Sequence, residues 1–84
     1  KIMMTELESQ TFETIFGVVH LCCHYDDGSK TWWTEAGNKR HRENGPAIMW
    51  KNGKKEWYLD GEELSESEFN KILAKKRIGR YLKM

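Results

Sequence analysis

Eighty-four residues, with fourteen Lys and Arg against thirteen Asp and Glu, make one small and nearly neutral module with no room for a second domain. Four Trp, three Tyr and three Phe exclude a chain too polar to collapse, since each enclosed ring buries roughly 150–250 Å². The longest apolar run, Val18 to Cys23, is interrupted by His20 and is far too short to span a bilayer.

In chain order, Met3-Met4 reads as the natural start, and Thr5 to Phe12 as an extended lead-in without clear periodicity. Ile15 to Tyr25 is rich in β-branched and aromatic residues and predicts a strand that ends at Asp27-Gly28. Lys30 to Thr34 returns antiparallel to it. Asn44-Gly45-Pro46 links to a second unit, with Ala47 to Lys51 going out, Asn52-Gly53 turning, and Lys54 to Leu59 coming back. Sliding the chain by twenty-five positions lays Asp27-Gly28-Ser29-Lys30-Thr31-Trp32-Trp33 on Asn52-Gly53-Lys54-Lys55-Glu56-Trp57-Tyr58, so the two units are copies of one hairpin. Asp-Gly and Asn-Gly predict two-residue type I′ turns with positive φ at both central residues.

After Gly61 the period changes. Ser65 followed by Glu68 forms a capping box, and Phe69, Ile72, Leu73 and Lys76 recur at helical spacing. A helix over 66–77 follows, with Gly79 as its stop and a basic tail over 78–84 that docks by Tyr81 and Leu82. The fold expected is α+β: a four-stranded antiparallel β-meander with a C-terminal α-helix, one domain over 1–84, with the hairpin repeats over 15–61.

Candidate chemistry is sparse. His20, Cys22 and His24 share one face of a strand, and His41 can approach them, but residues i and i+4 of a strand lie roughly 13 Å apart and cannot share one ion. No metal and no cofactor are expected. Cys22 and Cys23 beside His20 or His24 are the only nucleophile and base combinations, and adjacent cysteines in an apolar strand read as inert core, so no catalytic residue is assigned. These two cysteines also fail the spaced, even pattern of a disulfide scaffold, and no signal peptide pattern precedes them, which predicts a reducing cytosol.

Binding is better supported. Arg40, Arg42, Lys54 and Lys55 lie mid-chain, and Lys75, Lys76, Arg77, Arg80 and Lys83 follow the acidic stretch from Glu56 to Glu68. Nine cations in two groups are candidates for phosphate or an acidic partner surface. Alternation in the hairpins places Trp33, Met49 and Tyr58 together on the outer face, where Trp and Tyr are typical anchors for a protein partner.

Arg40-His41-Arg42-Glu43-Asn44-Gly45-Pro46-Ala47-Ile48, with Asn52-Gly53 and Trp57-Tyr58-Leu59-Asp60-Gly61, resembles a β-hairpin repeat of tailed-phage and large-DNA-virus proteins. It is similar in style to MORN repeats. The match covers residues 40 to 61, with a degenerate copy over 25 to 37 that lacks the Gly-Pro-Ala portion. The resemblance implies a small phage protein of the T-even type that works in the host cytoplasm. It implies a non-enzymatic inhibitor of a host or defence protein, such as the ribonuclease toxin of a toxin–antitoxin system, with RNA contributing to binding. The competing expectation is a general RNA-binding module.

Overall fold

The computed structural model describes the backbone of residues 6–82 and the side chains of residues 6–76. Among the described residues six strands follow one another as neighbours, β1 (Leu7–Ile15), β2 (Val18–Tyr25), β3 (Lys30–Thr34), β4 (Ile48–Met49), β5 (Lys55–Leu59) and β6 (Glu62–Leu64). All these pairings are antiparallel, and a helix, α1 (Glu66–Leu82), follows β6. The α+β class and the meander are as the sequence predicts, and the strands number six, not four. The lead-in becomes β1, an edge strand that is exposed over nearly all its nine residues. Its polar side chains give no alternation because pairing with β2, not burial, makes it a strand.

Two kinds of turn join these strands. Phe16-Gly17 connects β1 to β2 with φ of 51° and 79°, and Asp60-Gly61 connects β5 to β6 with φ of 51° and 84°. Each is flanked by a directly opposed pair, Ile15 with Val18 and Leu59 with Glu62, so both are two-residue turns of type I′. The repeat turns differ. At Asp27-Gly28 and Asn52-Gly53 only the glycine has positive φ, 93° and 91°. Gly28 N–H donates to Tyr25 O and Gly53 N–H to Trp50 O, while Tyr25 N–H reaches Ser29 O and Trp50 N–H reaches Lys54 O. These are three-residue loops closed by a glycine bulge, which corrects the type I′ expectation.

The extra residue moves the register by one place. A two-residue turn at Asn52-Gly53 would set Ile48 opposite Trp57, whereas Ile48 faces Glu56 and Met49 faces Lys55. On the other side Ile48 faces Thr31 and Met49 faces Lys30. Because side chains alternate, Ile48 joins the face of Thr31, Trp33, Glu56 and Tyr58, and Met49 moves to the face of Lys30, Trp32, Lys55 and Trp57. The expected grouping of Met49 with Trp33 and Tyr58 is therefore wrong.

Helix α1 starts as its capping box dictates: Ser65 N–H donates to Glu68 Oε1 at 3.0 Å and Glu68 N–H to Ser65 Oγ at 3.1 Å. Phe69 and Leu73 are buried against Leu59, with Trp57 and Leu64 beside them. Ile72 stays exposed at the border of that face. The helix passes through Gly79 to Leu82, so Gly79 is no stop. A mid-helix glycine costs only about 1 kcal/mol, which the helix-forming residues around it absorb. Residues 78–82 are thus helix, while the expected docking of Tyr81 and Leu82 falls outside the described side chains. Among the described residues no helix is long and apolar enough to cross a membrane.

The segment between β3 and β4 completes the sheet without being a regular strand. Trp33 and Arg40 form an isolated bridge. On one side Thr34 N–H donates to Lys39 O and His41 N–H to Trp32 O; on the other, Gly61 N–H donates to Arg40 O and Arg42 N–H to Tyr58 O. Lys39 to Arg42 is therefore held between β3 and the end of β5.

Candidate functional site

Arg40, placed by that double anchoring, sets its guanidinium 5.1 Å from the Trp33 ring centroid and 5.7 Å from that of Tyr58. A cation over two rings is held by their negative faces, worth about 0.5–1 kcal/mol per ring at a partly exposed site. Trp33 is fixed further by its Nε1–H donating to Thr31 Oγ1 at 2.8 Å, and Tyr58 by its hydroxyl donating to Glu56 Oε1 at 3.3 Å. Burial and the neighbouring Glu63 and Glu56 push the Tyr58 phenol up, so it stays a donor at neutral pH. Trp33, Asn38, Lys39, Arg40, Tyr58 and Gly61 line a shallow cleft of about 370 Å³. We call this arrangement the shelf.

Arg42, next but one, does the opposite job. Its guanidinium lies 3.7 Å from the Trp32 centroid and its Nη1 donates to Pro46 O at 3.2 Å. Glu13 Oε1 of β1 stands 3.7 Å from its Nε. Trp32 is 4% exposed, so this stack is part of the interior and ties the Gly45-Pro46 turn to the sheet. Arg42 was expected to reach phosphate or an acidic surface; in this geometry it is a scaffold residue.

Of the remaining expected cations, the described ones lie on two elements. Lys54 and Lys55 are exposed at the β4–β5 hairpin, where Lys55 borders a second cleft of about 480 Å³ formed with Pro46, Trp57, Phe69 and Leu73. Lys75 is exposed and Lys76 half-buried on α1. Arg77 and Arg80 lie on the same helix, their side chains outside the described ones, and Lys83 lies outside the described residues altogether.

Beside the shelf residue, His41 is buried and stacks on His20 with ring centroids 5.2 Å apart and planes 14° off parallel. His41 Nδ1 accepts the Asp60 N–H at 2.9 Å, which leaves the proton on Nε2, donated to Glu43 Oε2 at 3.0 Å. His20 is fully buried, and that burial holds it below the usual imidazole range. His24 of the same strand goes elsewhere, to Thr11 Oγ1 at 3.1 Å. Cys22 and Cys23 are buried on opposite faces, and burial pushes the Cys22 thiol up.

The approach of His41 to His20 is legible from the sequence; Glu43 and Asp60 are not. A signal for Glu43 exists in its spacing, since His41 and Glu43 at i and i+2 share a face wherever the backbone is extended. Asp60 acts through its backbone amide, for which the side chain carries no signal. Comparison with protein families, curated proteins and solved structures finds no match to this chain.

Proposed function

We propose that the chain is a non-enzymatic binding module that docks a host or defence protein through Trp33, Arg40 and Tyr58, as the resemblance to the phage hairpin repeat implies. The ribonuclease toxin of a toxin–antitoxin system is the target class that resemblance points to, and the host cytoplasm is the place. The observation that supports this reading is the pair of half-buried rings joined by one ordered arginine, since Trp, Tyr and Arg are the residues that anchor protein interfaces. The same observation weighs against the RNA module. Stacking on a base needs an open ring face, and Arg40 already covers one face of each ring. RNA then contributes through Lys54, Lys55 and the cations of α1 as a secondary contact. Buried Cys22 and Cys23, with the Cys22 thiol held protonated, support the absence of a cysteine nucleophile.

Affinity capture of the partner with and without ribonuclease, in parallel with Arg40→Glu and Trp33→Ala, tests the assignment. The expected result is a partner retained after ribonuclease and bound about 30-fold or more weakly by Arg40→Glu, the loss of a hot spot of about 2 kcal/mol. Release of everything by ribonuclease would establish the RNA module instead. Unaltered binding by both variants would remove the shelf as the site.

A further inference from the structure

His20, on β2, and His41 and Glu43, on the β3–β4 segment, bring one donor atom each within 4.8 Å of one another, and all three residues are buried. His20 Nδ1 is 2.9 Å from Val18 O, and a carbonyl only accepts, so the ring proton sits on Nδ1 and Nε2 carries the lone pair. That Nε2 is buried and has no hydrogen-bond partner among the described residues, although the residue is 0% exposed. An acceptor left unmet in the interior is destabilising. A ring fixed by Nδ1–H to a backbone carbonyl, with Nε2 bare, is also how a metal-bound imidazole is oriented.

We propose that His20 Nε2, His41 Nε2 and a Glu43 carboxylate oxygen form a structural site for a divalent cation of the zinc class, which fastens the β3–β4 segment to β2. Two imidazoles and one carboxylate suit zinc and its transition-metal neighbours, not calcium or magnesium, which take oxygen ligands. Three protein ligands leave the fourth tetrahedral position to a water, and burial of all three residues fits an ion that holds the segment in place. Ligands about 2.1 Å from a tetrahedral ion stand about 3.4 Å apart, so the donors close by about 1 Å or less each. Cys22 shares the face of His20 on β2, but the cluster of donor atoms within 4.8 Å takes in only His20, His41 and Glu43. Glu13, the other nearby acid, is engaged with Arg42.

Coordination leaves the proton count unchanged. The proton on His41 Nε2 moves to Nδ1 as the cation takes the Nε2 lone pair. The Asp60 N–H then gives up its bond to Nδ1, and Asp60 Oδ1, already 3.5 Å from that nitrogen, accepts the new Nδ1–H. Asp60 thus becomes the carboxylate that orients a ligating histidine.

Titrating the chelator-stripped full chain with Co2+ and following its visible d–d absorption tests the site, with Zn2+ thermal shifts beside it. Expected are one equivalent of Co2+ in tetrahedral form and a Tm raised by about 10 °C or more at 100-fold excess of Zn2+ over Kd. Glu43→Gln keeps an acceptor for His41 but loses the charge and should abolish the Co2+ spectrum. Asp60→Asn is the safer variant, because Asn tolerates the φ of 51° at that turn, and it should weaken Co2+ about 10–100-fold with circular dichroism unchanged. Should Glu43→Gln fail to fold, Asp60→Asn decides. Absence of stoichiometric Co2+ binding, or binding unaltered in Asp60→Asn, overturns the proposal.

Discussion

Three turns in this protein carry nearly the same residue signal and adopt two different backbones. Asp60-Gly61 is a two-residue type I′ turn with both residues at positive φ, while Asp27-Gly28 and Asn52-Gly53 place only their glycines there. The Asp and Asn of the repeat turns serve as acceptors. Ser29 N–H donates to Asp27 Oδ1 at 2.8 Å, and Lys54 N–H donates to Asn52 Oδ1 at 2.9 Å. One dipeptide thus supports two loop lengths, and the side-chain bond, not the glycine, distinguishes them. The outcome matters beyond the loop, because one added residue decides which face Met49 occupies.

The largest test of this contrast is Gly53→Val. Nothing lies within 4 Å of the added Cβ, so space is not at issue, but a β-branched residue is disfavoured at a φ of 91°. A loss of about 2 kcal/mol is expected, a fall in Tm of about 8–16 °C for a domain of this size, read by thermal unfolding. A Tm unaltered in that variant would show that the bulge is not needed.

Deleting Lys51 should cost far less. The loop would become Asn52-Gly53 between Trp50 and Lys54, a two-residue turn that keeps Met49 opposite Lys55 and Ile48 opposite Glu56. The bond from Lys51 N–H to Ser29 Oγ is lost, worth about 1 kcal/mol, and the preferred turn offsets part of it. Cross-strand nuclear Overhauser contacts between Met49 and Lys55 should persist; their replacement by Met49 to Glu56 contacts would show that a three-residue loop re-forms and the strand slips instead.

The smallest effect separates the two repeat turns from each other. Hydrogen bonds from Ser29 hold the Asp27 carboxyl below its usual range, while Asn52 does not titrate. A depressed carboxylate pKa stabilises the fold fully above the unfolded value of 3.8, and that contribution disappears as pH falls through the lower folded value. Order at the first turn, followed by the Ser29 amide signal, should weaken on acidification below pH 3.8, while the Lys54 amide of the second turn stays put. Asp27→Asn should make the two turns respond alike.

Legibility in the sequence followed the range of the forces involved. The helix start was readable because Ser65 and Glu68 satisfy each other three residues apart. The helix end was not, since Gly79 weighs against continuation by an amount its neighbours outweigh. β1 was missed because its side chains are exposed, and β6 because three residues carry no period. Trp33 and Tyr58 were grouped correctly from alternation within their strands, whereas Met49 depended on the loop between strands. Arg42 was read by its charge; its place was decided by Trp32, ten residues away, whose ring it covers.

Arg40 has backbone partners on both sides, its carbonyl accepting from Gly61 and its neighbour His41 donating to Trp32, and its side chain already rests on two rings. Association normally forfeits about 0.5–1.5 kcal/mol for each flexible side chain that must be frozen at the contact. Folding has met most of that loss for this arginine, so a docking partner encounters a rigid, prearranged anchor and keeps that free energy as affinity.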